Sequence, residues 1–170
     1  MTSYVCRSCG ERHEGRPTAF LYPMPDVVHA VPAADRTQRV RSAKDLCVLD
    51  GKHWFVLGNL DVGVAGSEES VRWTVWSTLS QANFARTRSL WTTKGRESEP
   101  PYFGWLSNAI PGYLSTINLP LDVQTGPVGE RPTLRVRHDA DHLLAREQRE
   151  GITVERADAL IDAAMSRGRA

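Results

Sequence analysis

LCVLDGKHWFVLG, residues 46–58, sets two apolar runs rich in β-formers around Asp50-Gly51. Asp-Gly tolerates the positive φ angles of tight hairpin turns, so the segment reads as two antiparallel strands. Its register has two forms. A two-residue loop pairs Leu49 with Lys52 and turns His53 away from Cys47, whereas one further loop residue pairs Leu49 with His53 and brings His53 to the face of Cys47.

Working outward, VRWTVWSTL (71–79) alternates, with Val71, Trp73 and Val75 on one face and Arg72, Thr74, Trp76 and Thr78 on the other, and GSEES (66–70) is the turn before it. Ser80 then stands at an N-cap position, Phe84, Arg88 and Trp91 follow at helical spacing, and Gly95 stops the helix. TINLPLDV (116–123) and TLRVRH (133–138) read as strands around a Gly/Pro loop. Beyond them, Asp139 or Asp141 is placed to cap a helix that Gly151 ends, and Thr153 to cap a last helix with Val154, Ala157, Leu160, Ile161 and Ala164 along one side. On the other flank, Pro17, Pro23, Pro25 and Pro32 argue for extended chain, and the basic interval 33–44 for a short surface helix or loop. The expectation is one α+β domain over residues 1–170, its sheet mainly antiparallel, with helices after the third strand and at the C-terminus.

A chain of 170 residues needs no staple to bury a core. Lys and Arg total 21 against 20 Asp and Glu, so no strong positive field exists to hold a nucleic-acid backbone, and nucleic acid is not an expected partner. Residues 100–121 carry no charge, but Pro100, Pro101, Pro111 and Pro120 exclude a membrane-spanning helix there. Three cysteines are too few for a disulfide-stapled scaffold and the N-terminus lacks a signal-peptide core, so a cytoplasmic setting is expected.

Cys6-Arg7-Ser8-Cys9-Gly10 carries the most chemistry. Two thiolates two residues apart hold half of a tetrahedral zinc site, and a following glycine lets the turn aim amide hydrogens at the sulfurs. A redox pair fits less well, since that motif usually opens the helix of a βαβ unit and here precedes a polar loop. Residues 1–16 thus read as a zinc-knuckle-like segment. Cys47 is the expected third ligand and His13, on the same short loop, the fourth; His29, His53 or a water are alternatives. Four protein ligands make the zinc structural, while a zinc-bound water would make the protein a metal-dependent hydrolase. His138 and His142 are also metal-capable, but their Asp neighbours read better as helix caps. In EPPYFGWLSNAIPGY (99–113), Tyr102, Trp105, Asn108 and Tyr113 are the candidate surface for a protein partner or small ligand, against the plainer reading of a loop's own small core. Oligomeric state stays open.

CRSCGERHEG, DLCVLDGKHWFVLG, WTVWSTLSQANFARTRSLW, EPPYFGWLSNAIPGY and EQREGITVERA, in this order, resemble the bacterial family catalogued as domain of unknown function 2199. The resemblance runs over nearly the whole chain. It implies one bacterial domain and a joint role for Cys6, Cys9 and Cys47, but no established activity. The function expected is a non-catalytic binding or interaction module with a structural zinc.

Overall fold

In the computed structural model, which describes residues 3–5 and 10–167, the 46–58 segment takes the longer-loop register. β5 (Leu46–Leu49) pairs with the start of β6 (His53–Gly63) so that Leu49 faces His53 and Cys47 faces Phe55. Asp50 and Gly51 both have positive φ, 54° and 64°, as the dipeptide requires.

β6 then runs antiparallel to β7 (Ser70–Leu79) over ten residue pairs, and the alternation read from 71–79 holds. Val71, Trp73 and Val75 enter one core with Leu60, Leu121, Leu134 and Leu160, while Trp76 joins Cys47, Phe55 and Leu57 in a second core on the opposite face. Ser80 caps α3 (Gln81–Ser89) by accepting a hydrogen bond from the Asn83 amide, and Phe84 is the residue this helix buries. The chain continues through β8 (Tyr102–Trp105), β9 (Pro120–Gln124) and β10 (Thr133–Val136), each antiparallel to the one before.

The sheet is mixed, not mainly antiparallel. It has eight strands, with β3 (Ala19–Leu21), β7, β6, β10, β9 and β8 along the main path and β4 (Val40–Ala43) reached through β5. β10 lies parallel to β6 at Thr133 and Asn59, and β3 lies parallel to β7. Parity explains the first case, because five successive antiparallel strands that curl round bring the first and the last together pointing the same way. The curl is nearly complete: Leu106 bridges to Ser77, and the Ser107 amide donates to the Trp76 carbonyl at 2.8 Å. Gly104 permits this seam, since a Cβ there would stand 2.1 Å from Ser77 Oγ and 2.3 Å from the Thr78 carbonyl.

Helices are not confined to the region after the third strand. α1 (Asp26–His29) and α2 (Ala33–Arg39) precede the hairpin. Pro25 and Pro32, read from sequence as marks of extended chain, stand immediately before these helices, where a missing N–H costs nothing. α1 seals the second core with Val28. At the C-terminal end, α4 (Leu143–Glu150) and α5 (Val154–Arg167) close the first core with Leu144, Leu160 and Ile161. The α4 cap is His142 rather than Asp139 or Asp141; Gly151 ends that helix and Thr153 Oγ1 accepts from the Arg156 amide, as expected. Among the described residues no helix is long and apolar enough to cross a membrane.

Candidate functional site

The segment 99–113 separates into residues that hold the fold and residues that face outward. Tyr102 is buried and its hydroxyl donates to Glu99 Oε2 at 2.6 Å; Arg86 grips the same carboxylate. Hydrogen bonds from Arg86 and Tyr102 hold Glu99 down at about 2, and burial, together with Glu99, pushes Tyr102 up to about 12. Asn108 is 0% exposed. Its Oδ1 accepts from the Trp76 amide at 2.8 Å and its Nδ2 donates to the Met24 carbonyl and Asp26 Oδ1 at 3.0 and 2.9 Å. Tyr113 donates to Glu147 Oε2, Arg156 lies over its ring, and burial raises its hydroxyl above the ordinary tyrosine range. Of the four residues singled out from sequence, Trp105 alone is exposed.

Trp105 has a companion. Strand alternation in β8 turns Tyr102 and Gly104 inward and Phe103 and Trp105 outward, each 44% exposed, with ring centroids 4.8 Å apart at 90°. Pairing aligns them with the neighbouring strands. Phe103 stands opposite Asp122, which stands opposite Arg135; Trp105 stands opposite Pro120, whose carbonyl accepts from the Arg137 amide. The outer face of β8, β9 and β10 thus carries two aromatic rings on one margin and two guanidiniums on the other. Arg137 is engaged, reaching Asp122 at 3.2 Å and Asp139 at 3.3 Å while its guanidinium lies 5.8 Å from the Phe103 ring centroid. Arg135 is exposed and pairs with no carboxylate among the described residues. Reading 99–113 as a loop hid this face; the period-two pattern of Tyr-Phe-Gly-Trp was the signal for it.

Cys6 and Cys9 lie outside the described residues. β1 (Ser3–Val5) and β2 (Arg12–Glu14) pair as a hairpin with Val5 opposite Arg12 and Tyr4 opposite His13, so residues 6–11 connect two paired strands. Gly10 has φ +74°, a conformation that favours glycine. Cys47 is elsewhere: 2% exposed among Leu49, Phe55, Leu57 and Trp76, with burial pushing its thiol up to about 11. Arg16, just past β2, pairs with Asp158 and Asp162 of α5, which packs on the sheet face opposite Cys47. His29 ends α1 and is exposed; His53 shares the face of Cys47 but is exposed at the hairpin tip. Among the described residues no three His, Cys, Asp or Glu side chains form a group able to hold a metal.

His138, Asp139, Asp141, His142, Arg146 and Arg149 border an open groove of about 420 Å³. His142 has no ring nitrogen to spare there, since Nδ1 accepts from the Leu144 amide at 3.0 Å and Nε2 bonds to the Leu114 carbonyl.

Fold and surface together define a curled mixed-sheet α+β domain with an aromatic and arginine face on its outside. Residues 5–152 match the family described as "Uncharacterized protein conserved in bacteria (DUF2199)", and the chain belongs to that family. No curated protein and no solved structure matches it.

Proposed function

We propose that the protein is a binding module that docks a protein partner on the outer face of β8, β9 and β10. One observation carries the reading: Phe103 and Trp105 are large apolar side chains held side by side at the surface by a strand whose alternate residues are buried. Exposed neighbouring aromatics on a rigid strand lose little entropy on binding, which suits them to anchor a contact. The test is a comparison of proteins recovered from cells of the host bacterium with the tagged wild type and with the Phe103→Ser, Trp105→Ser double variant. A protein enriched with the first and lost with the second supports the reading. Equal recovery with both, or none with either, contradicts it.

A second reading concerns the N-terminal hairpin, which we propose holds a zinc ion through three protein ligands, Cys6, Cys9 and His13. The positive φ of Gly10 directly after Cys9 favours it, since that geometry turns the chain as a metal-holding knuckle needs. Cys47 is left out of the set because its thiol lies in an apolar layer on the face opposite α5. Protein purified without chelator should contain about one zinc per chain, lose it on Cys9→Ser and keep it on Cys47→Ala. Absence of zinc from the wild type contradicts this reading, and loss on Cys47→Ala in a folded variant restores the larger ligand set.

A further inference from the structure

Resting on the docking reading above, we infer that the occupant of this face is an extended segment of a partner protein carrying an apolar side chain two or three residues from an Asp or Glu. Three features of the face select it.

The first is the edge. β8 is bonded along one side to β9, and its other side meets β7 through the Trp105 amide donating to Thr78 Oγ1 at 2.9 Å and the Leu106 to Ser77 bridge. With both sides used, a partner strand cannot extend the sheet here, and recognition falls to side chains.

The second is charge. Phe103, Asp122 and Arg135 form one cross-strand row, with Trp105, Pro120 and Arg137 in the next. Asp122 and Asp139 already share Arg137, which leaves Arg135 as this face's guanidinium without a carboxylate among the described residues. A phosphate backbone would meet Asp122 in the middle of the face, whereas a single carboxylate placed at Arg135 gains a charge-assisted hydrogen bond. Arg135 and Phe103 are two strands apart, roughly 10 Å at the usual strand spacing, a distance that about three residues of extended chain cover, or two with the reach of their side chains.

The third is size. Two aromatic side chains at 44% exposure offer on the order of 200 Å² of apolar surface, far below the roughly 800 Å² per partner of a standard interface. That suits a short segment and not a second copy of this chain.

The test uses the full chain and a displayed library of random twelve-residue peptides. Enriched peptides should carry an apolar residue two or three positions from an acidic one. A synthetic peptide of that kind should bind roughly tenfold or more weakly to Arg135→Glu, and replacing its acid with Lys should restore binding to that variant. Arg135→Gln serves as the milder variant, and circular dichroism verifies the fold of each. Peptides that need Phe103 and Trp105 but show no acidic preference overturn the assigned occupant while leaving the docking face standing. Peptides indifferent to Phe103→Ala and Trp105→Ala overturn both. Dimerisation abolished by those substitutions, or binding of an oligo-dT strand at this face, would also overturn the occupant.

Discussion

Asn108 offers the sharpest test of how the 99–113 segment is held. In Asn108→Ala the Trp76 amide, buried in the seam between β7 and β8, loses its acceptor; an unmade buried hydrogen bond costs about 1–3 kcal/mol. The Met24 carbonyl and Asp26 lose a donor each, but both residues are partly exposed and water can replace it. Adding about 1 kcal/mol for the space left by the amide gives a loss of about 2–4 kcal/mol, or roughly 5–15 °C in Tm for a domain of this size. Asn108→Asp separates the roles of the two amide ends. Its carboxylate can still accept from Trp76 but now faces Asp26, and burial beside a like charge raises the folded pKa of the new acid. Protonation is then favoured in the folded state, so the variant is most stable below the ordinary Asp value near 3.9 and loses stability as pH rises from there through the raised pKa. Urea unfolding at pH 4 and pH 7 should therefore show a penalty that grows with pH for Asn108→Asp and stays nearly constant for Asn108→Ala. A loss below 1 kcal/mol for Asn108→Ala, or matching pH profiles for the two variants, would refute the reasoning.

At the seam itself, Gly104→Ala forces a Cβ against the Thr78 carbonyl and Ser77 Oγ; a cost of about 3 kcal/mol and faster hydrogen exchange at the Ser107 amide are expected, and wild-type values for both would contradict the closure. Glu99, held at about 2 by Arg86 and Tyr102, contributes stability that is present above its unfolded value and is lost as pH falls toward 2. Acid titration of Glu99→Gln, followed by circular dichroism, should lack that component; a curve parallel to the wild type sinks the assignment. Cys47, with its thiol pushed up to about 11, should react with iodoacetamide at pH 8 roughly a hundredfold or more slowly in the native protein than in urea, as read by mass spectrometry, and comparable rates would contradict its burial.

What the residues reveal without coordinates follows their periodicity. Residues 46–58 and 71–79 carry strand patterns strong enough to place three strands and to sort the third strand's side chains onto two faces, and Ser80, Gly151 and Thr153 act as local chemistry says they should. The parallel contacts of β10 with β6 and β3 with β7 join residues far apart in the chain, and no local pattern encodes which way a distant strand arrives. Pro25 and Pro32 misled because a proline before a helix and a proline in extended chain look alike in sequence. At the site, Tyr102, Trp105, Asn108 and Tyr113 were legible together as a candidate surface, but not which of them are buried, since Asn108 bonds to Trp76, Met24 and Asp26, which lie far away in the chain. Arg135 becomes meaningful only through the register that sets it in a row with Phe103.

The docking face is tested most directly by a photo-reactive phenylalanine analogue placed at position 103 and, as control, at Val154, an apolar residue of α5 that is 58% exposed. On illumination in the host bacterium, the account predicts a discrete cross-linked protein adduct from position 103 and none from position 154. No adduct from 103, or the same adducts from both positions, would contradict it.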